Sequence, residues 1–170
     1  MNLEFKHLLP ADFSPQSRVW IYQCSRLFSM SEALQVESAL NDFCDSWHSH
    51  GSRVKGFGTL LFGQFLIIMA DDSVSVSGCS TDSSVKLVKD LSQQFNVDFF
   101  NRTMLAFYIK DKIQLLPLGQ VQYAADNGFL DKDTLYFNNL VSTKAELENK
   151  WIIPVKDSWL REKLKLSTAS

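Results

Sequence analysis

The sequence predicts an α+β protein built on a ferredoxin-like core, with its elements in the order β-α-β-β-α-β. Runs of β-branched and aromatic residues, typical of strands, alternate with stretches in which apolar residues recur every three or four positions, typical of helices. The chain has 170 residues, of which 45% are hydrophobic, so it can bury a substantial core. We expect a single domain over residues 1–170, with the core at about 18–117 and a mixed helical extension at about 118–165 packed on it.

The first strand and the first helix are predicted near the N-terminus. The run from Arg18 to Cys24 is β-branched and aromatic, which suits a pleated surface better than a helix. Ser29 and Glu32 have the spacing of a capping box, in which each side chain bonds the backbone N–H of the other residue. The helix that begins there has an apolar stripe formed by Ala33, Val36, Leu40, Phe43 and Trp47, and His48, His50 and Gly51 are expected to end it.

Two buried strands and a second helix are predicted in the middle of the chain. Val54–Phe62 and Phe65–Ala70 are apolar on both alternating faces, as in strands of a covered sheet. Gly63-Gln64 lies between them and predicts a two-residue type II′ turn. Over Ser80–Asn96, polar capping residues precede an apolar stripe at helical spacing, formed by Val85, Val88, Leu91 and Phe95.

The last strand of the predicted core is Met104–Lys110, and Ile113–Leu116 is an optional hairpin partner that Pro117 ends. The extension is expected to contain a short helix at Val121–Asp126, a short strand at Thr134–Phe137, and a helix from the capping box of Thr143 and Glu146 to about Lys150.

Charge and composition argue against several classes of function. The formal net charge is −2, so a polybasic nucleic-acid or membrane surface is not indicated. The stretch Phe57–Ala70 is uncharged but shorter than the ~20 residues that a bilayer requires. Met1–Pro10 carries charges and no apolar run of the signal-peptide kind, so we expect a cytoplasmic protein. We predict no nucleic-acid partner, no membrane partner and no cofactor.

The best local candidate for a site is the predicted start of the second helix, formed by Gly78, Cys79, Ser80, Thr81 and Asp82. N–H groups at a helix start bind anions and favour a thiolate, so Cys79 is a candidate nucleophile or redox sensor. In the structural alternative, Gly78 makes a turn, Ser80 or Thr81 caps the helix and Cys79 is a small packed side chain. Asp82 complements the helix dipole and would repel an anion.

A second candidate is the amide pair Asn138 and Asn139, which lies between apolar residues. Two such amides either satisfy buried backbone groups or face a ligand. Cys44 and His48 are four residues apart on one predicted helix, but the sequence has no second pair to complete a structural zinc site, so we predict no metal. The sequence also contains no Gly-Lys-Ser/Thr and no G-x-S-x-G, which argues against a P-loop ATPase and a serine hydrolase.

Several phrases of the sequence resemble one protein family. These are Val19-Trp-Ile-Tyr-Gln23, Ser77-Gly-Cys-Ser-Thr-Asp82, Phe137-Asn-Asn-Leu-Val141 with Thr143-Lys144, Glu146-Leu-Glu148, and the ending with Trp151, Pro154 and Ser158-Trp159. Over roughly Arg18 to Trp159 the chain resembles a family of small uncharacterised bacterial proteins often labelled ABC transporter ATPase. The sequence has no Walker A motif and no L-S-G-G-Q signature, so the resemblance implies a bacterial cytoplasmic setting rather than ATP hydrolysis.

We therefore expect a non-enzymatic module that binds a small polar ligand or a protein partner, bordered by Gly78 to Asp82. The alternative is a cysteine-dependent enzyme or thiol sensor with Cys79 as nucleophile and His48 or His50 as base. Assembly into a homodimer through a sheet edge or face is a further open alternative.

Overall fold

Helices and antiparallel sheets together form the protein, as the α+β prediction requires. A computed structural model describes residues 1–71 and 81–166 in full and the backbone of residues 78–80. The strands are β1 (Arg18–Gln23), β2 (His48–Ser49), β3 (Ser52–Arg53), β4 (Gly56–Leu61), β5 (Phe65–Ala70), β6 (Met104–Ile109), β7 (Lys112–Pro117), β8 (Leu135–Phe137) and β9 (Ile152–Pro154). The helices are α1 (Met30–Ser46), α2 (Gly78–Phe95), α3 (Val121–Asp126), α4 (Lys144–Lys150) and α5 (Leu160–Lys163). None of the helices in the described part of the chain has the length and apolar character needed to cross a membrane.

The first sheet contains β1, β4 and β5, which correspond to the first three strands predicted from the sequence. Its order is β1-β5-β4 and both pairings are antiparallel. Every residue of β5 is buried, which explains why its sequence is apolar on both faces. The β4–β5 turn differs from the predicted type II′ turn at Gly63-Gln64. Phe62 and Gly63 have φ values of 54° and 63°, and the Gln64 N–H donates to the Leu61 carbonyl at 3.1 Å, so Phe62 and Gly63 are the central residues of the turn.

The second sheet has the order β7-β6-β8-β9, and its pairings are antiparallel. A ferredoxin-like core would pair β6 with β1, and the structure does not confirm this topology. β6 pairs with β7, which confirms the optional hairpin partner predicted at Ile113–Leu116, through a tight turn at Lys110 and Asp111 with φ values of 51° and 61°. Two consecutive positive φ values match the right-handed twist of a hairpin, so β6 takes the strand next to it in the sequence. On its other side β6 pairs with β8.

The two sheets share one core and are each covered by helices on the outside. One face of the first sheet packs on α1 and α2 in a cluster that includes Trp47, Leu66 and Val88. Its other face shares a cluster with the N-terminal segment, the second sheet and the residues after β8. The fully buried side chains of this shared cluster are Phe65, Ile67, Met69, Ala106, Phe137, Leu147 and Trp151. The remaining face of the second sheet packs on α3 and α5. The order of layers is therefore helix, sheet, sheet, helix.

Helix α1 begins as predicted, with both hydrogen bonds of the Ser29–Glu32 capping box formed. The helix ends at Ser46, just before the residues predicted to stop it. The residues expected to stop the helix form a short hairpin of β2 and β3, with φ values of 49° at His50 and 78° at Gly51 in its turn. This hairpin precedes β4, which therefore begins at Gly56 rather than at Val54.

The region after β7 supplies part of the shared core. Thr143 caps α4 by accepting from the N–H of Glu146 at 3.2 Å. The Glu146 carboxylate accepts from the N–H of Ser142 at 2.9 Å and not from that of Thr143, so one of the two bonds of the predicted second capping box is formed. The strands β8 and β9 complete the second sheet, and Trp151 between α4 and β9 is fully buried. The predicted extension thus contributes strands as well as helices.

Candidate functional site

The residues predicted at the start of the second helix are only partly described. Helix α2 begins at Gly78, and the side chains of Cys79 and Ser80 lie outside the described residues. The carbonyl of Thr81 accepts a hydrogen bond from Ser84 Oγ at 2.8 Å, and the side chain of Asp82 is exposed. Both interpretations of Cys79, as a candidate nucleophile and as a small packed side chain, stay predictions.

The other two thiols are poor nucleophiles. Cys24 is fully buried, and burial raises its pKa. Burial also raises the pKa of Cys44 to about 11, and the nearby carboxylate of Asp45 acts in the same direction. His48 Nδ1 lies 2.8 Å from the carbonyl of Ser46. No group of three or more His, Cys, Asp or Glu side chains in the described part of the chain is arranged to hold a metal ion.

The two predicted amides, Asn138 and Asn139, have different environments and line different cavities. The Asn138 N–H donates to the carbonyl of Trp151 at 2.6 Å, and Asn138 Nδ2 donates to the carbonyl of Lys150 at 3.3 Å. Its Oδ1 atom is buried and has no hydrogen-bond partner among the described residues. This side chain borders an open cavity of about 490 Å³ that also includes Leu140, Glu146 and other residues of α4 and the segment before α5.

Asn139 lines a cleft of about 350 Å³ between the free edge of β1 and the second sheet. Ligand sites are commonly clefts of at least ~300 Å³, so this volume suits a small molecule. The lining is mixed: aromatic rings and aliphatic side chains surround a few amides and one arginine. Its residues are Val19, Trp20, Ile21, Tyr22, Gln23, Phe99, Phe100, Asn101, Arg102, Met104, Leu105, Tyr136, Phe137, Asn139, Leu140, Val141 and Trp159.

A chain of side-chain hydrogen bonds fixes Asn139 across this cleft. Trp151 Nε1 donates to Asn139 Oδ1 at 2.9 Å, and Asn139 Nδ2 donates to Gln23 Oε1 at 3.0 Å. Gln23 Nε2 in turn donates to the carbonyl of Met104 at 3.0 Å. The chain therefore links the end of β1 to the start of β6 and to the core residue Trp151, and it holds both amides in a defined orientation.

The edge of β1 that faces the cleft has unpaired backbone groups. The Cys24 N–H donates to the backbone carbonyl of Gln64 at 2.8 Å. Residues of an antiparallel strand point their N–H and C=O groups alternately toward and away from the partner strand. The odd-numbered residues of β1 therefore point these groups away from β5. Val19 follows this rule, because its N–H bonds the carbonyl of Ser142 at 2.9 Å. Among the described residues, no backbone group pairs with the N–H and C=O of Ile21 or Gln23, which leaves a short row of donors and acceptors beside the cleft.

Two tyrosines contribute hydroxyl groups near the cleft. Burial raises the pKa of Tyr22, although its hydrogen bond with Ser84 and the nearby charge of Arg102 act in the opposite direction. Burial also raises the pKa of Tyr136, whose hydroxyl accepts from Trp159 Nε1 at 3.1 Å. Both hydroxyl groups are therefore neutral at physiological pH and serve as hydrogen-bonding groups.

Sequence reasoning identified Asn139 but missed its partner Gln23 and the cleft itself. The aromatic residues Trp20 and Tyr22 on the first strand are one indication of a binding site in the sequence. Gln23, an amide at the end of an otherwise apolar strand, is a weaker indication. Neither signal indicates which distant segment lies opposite the strand.

Comparison of the chain with protein-family models, with curated proteins and with solved structures gives no match.

Proposed function

We propose that the protein is a non-enzymatic binding module, and that a small polar ligand binds in the cleft beside β1. The observation that carries this proposal is the hydrogen-bonded chain from Met104 through Gln23 and Asn139 to Trp151. Amides held by such bonds are preorganised, so ligand binding does not incur the entropic cost of ordering them. Aromatic rings around a few fixed polar groups are typical of small-molecule sites.

The dimensions of the open edge favour a small ligand over a peptide strand. Strand addition gains affinity from a continuous row of backbone hydrogen bonds. On β1 the row is limited at one end by the Val19–Ser142 bond and at the other by the contact of Gln23 with Met104. Only a short stretch around Ile21 and Gln23 is open, which suits one or two hydrogen bonds to a compact molecule.

Fragment screening by NMR tests the proposal and does not require the natural ligand to be identified first. A library of several hundred small polar compounds is added to ¹⁵N-labelled protein, and the backbone amides of Ile21 and Gln23 and the indole N–H of Trp159 are followed. We expect hits that shift these signals together and that lose affinity in Asn139→Leu, which keeps the volume but removes the amide. The matched control is Asn41→Leu, an exposed asparagine of α1 outside the cleft. A screen whose hits all map elsewhere, or that yields none, contradicts the proposal.

The alternative function, a cysteine-dependent enzyme or thiol sensor, depends on Cys79. Its test is the rate of alkylation of Cys79 by iodoacetamide between pH 5 and 10, with Cys24 and Cys44 as internal references. Fast labelling with a midpoint well below the free-thiol pKa of ~8.5 supports this alternative. Labelling as slow as that of the two reference thiols rejects it. The resemblance to a bacterial protein family supports a cytoplasmic setting for either function.

A further inference from the structure

The electrostatics of the cleft identify the class of ligand, provided that the proposed function is correct. Arg102 is the one charged side chain among the described residues that line the cleft, and no aspartate or glutamate is among them. A guanidinium that forms no ion pair, at the border of an otherwise neutral cavity, attracts anions and repels cations.

The guanidinium of Arg102 is not engaged by the protein. It is exposed, and in the described part of the chain no hydrogen bond or ion pair involves it. Asp98 is the acidic residue nearest to Arg102 in the sequence, and its carboxylate accepts a hydrogen bond from the N–H of Phe100 at 2.7 Å. All the donors of the Arg102 fork are therefore available, in the geometry that matches a carboxylate.

Aromatic rings lie close to this charge. The rings of Tyr22 and Phe100 form an edge-to-face pair with centroids 5.8 Å apart, and Arg102 lies near enough to Tyr22 to influence its pKa. Trp20, two residues before Tyr22 on β1, also lines the cleft, and the guanidinium of Arg18, which is not a lining residue, lies 5.0 Å from the centroid of the Trp20 ring. Flat rings with positive charge beside them provide stacking surfaces and an anion anchor together.

We infer that the cleft binds a flat aromatic carboxylate, with the carboxylate paired to Arg102 and the ring packed among Trp20, Tyr22 and Phe100. Ile21 and Asn139 then offer hydrogen-bonding groups to polar atoms on the ring. Arg102 is the residue that determines specificity for the anion, whereas the aromatic residues supply affinity that does not depend on charge.

Three probes of one shape and different charge test this inference: 2-naphthoate, 2-naphthamide and 2-naphthamidine. Their dissociation constants are measured by calorimetry with the intact chain, and the binding site is verified by the NMR signals of Ile21 and Gln23. A charge-assisted bidentate contact predicts that the carboxylate binds at least about tenfold more tightly than the amide. The amidinium is expected to bind more weakly than the amide.

Variants then assign the preference to one residue. Arg102→Ala should reduce naphthoate affinity to that of naphthamide and leave naphthamide affinity unchanged. Arg53→Ala removes an exposed arginine outside the cleft and should preserve the preference. Arg102→Lys, which keeps the charge but not the fork, should give an intermediate preference.

The outcomes separate this inference from the proposed function. Equal binding of naphthoate and naphthamide at the cleft, or a carboxylate preference that survives Arg102→Ala, overturns the inference and leaves the binding module intact. Failure of all three probes to shift the cleft signals also overturns it, and the fragment screen then decides independently whether the cleft binds ligands of another class.

Discussion

Replacing Asn139 with alanine tests whether the hydrogen-bonded chain across the cleft stabilises the fold. The substitution leaves the indole N–H of fully buried Trp151 without its acceptor and Gln23 without its donor. An unsatisfied buried donor costs about 1–3 kcal/mol, and the bond to half-buried Gln23 contributes about 1 kcal/mol. We therefore expect a loss of about 2–4 kcal/mol in the free energy of unfolding, which for a chain of this size lowers Tm by about 5–10 °C.

The assay is urea unfolding of a double-mutant cycle with Trp151→Phe, which removes the donor that Asn139 satisfies. In the Trp151→Phe background, Asn139→Ala should cost at least about 1 kcal/mol less than in the native background. The neighbouring Asn138→Ala is the matched control. It removes one long hydrogen bond, to the carbonyl of Lys150 at 3.3 Å, and should cost no more than about 1 kcal/mol. Additive effects in the cycle, or equal losses at the two asparagines, would refute the reasoning.

Three further predictions concern stability. Glu32 has a pKa lowered to about 2 by its hydrogen bonds, first with Arg26, so its contribution is complete above about pH 4.5 and is lost as the pH falls toward 2. Glu32→Gln should weaken the dependence of the urea midpoint on pH between 5 and 2.5, and an unchanged slope contradicts this. Buried Lys144 donates from Nζ to two carbonyls of the N-terminal segment, at 2.8 and 3.1 Å. Lys144→Met should increase hydrogen exchange within residues 1–17 and leave β5 protected. Unaltered exchange within residues 1–17 would show that the Lys144 hydrogen bonds do not hold this segment in place. Gly56→Ala places a Cβ 2.7 Å from the ring of Trp47 and should cost about 1–3 kcal/mol. Gly119→Ala, where no atom lies within 4 Å of the added Cβ, is the control and should be tolerated.

The local elements of this protein are encoded by local patterns. The Ser29–Glu32 capping box marks the start of α1 because both of its hydrogen bonds connect residues three positions apart. The alternation and composition of the sequence likewise locate β1, β5 and β6 to within one residue. Such signals need no information about the rest of the chain.

The assignment of strands to sheets depends on contacts between residues that are far apart in the sequence, so it could be predicted only in part. The strands β1, β4 and β5 form one sheet in the order β1-β5-β4 through one hairpin and one crossover. The optional hairpin of β6 with β7 is confirmed, but the pairing of β6 with β1 that a ferredoxin-like core requires is not, because the composition of β6 suits either neighbour equally well. The turn at Lys110 and Asp111 and the arrival of β8 from a later part of the chain determine its neighbours.

The candidate site depends on contacts between residues that are far apart in the sequence. The sequence identified Asn138 and Asn139 as unusual amides between apolar residues, but it could not distinguish their roles. Asn139 bonds Gln23, which lies 116 positions away, and Gln23 bonds Met104 across 81 positions. Hydrophobic periodicity and capping act over a few residues, whereas the partners of a buried amide are fixed by the packing of distant segments. Most helices and strands could therefore be predicted from the sequence, whereas the cleft between them is formed only when distant segments pack together.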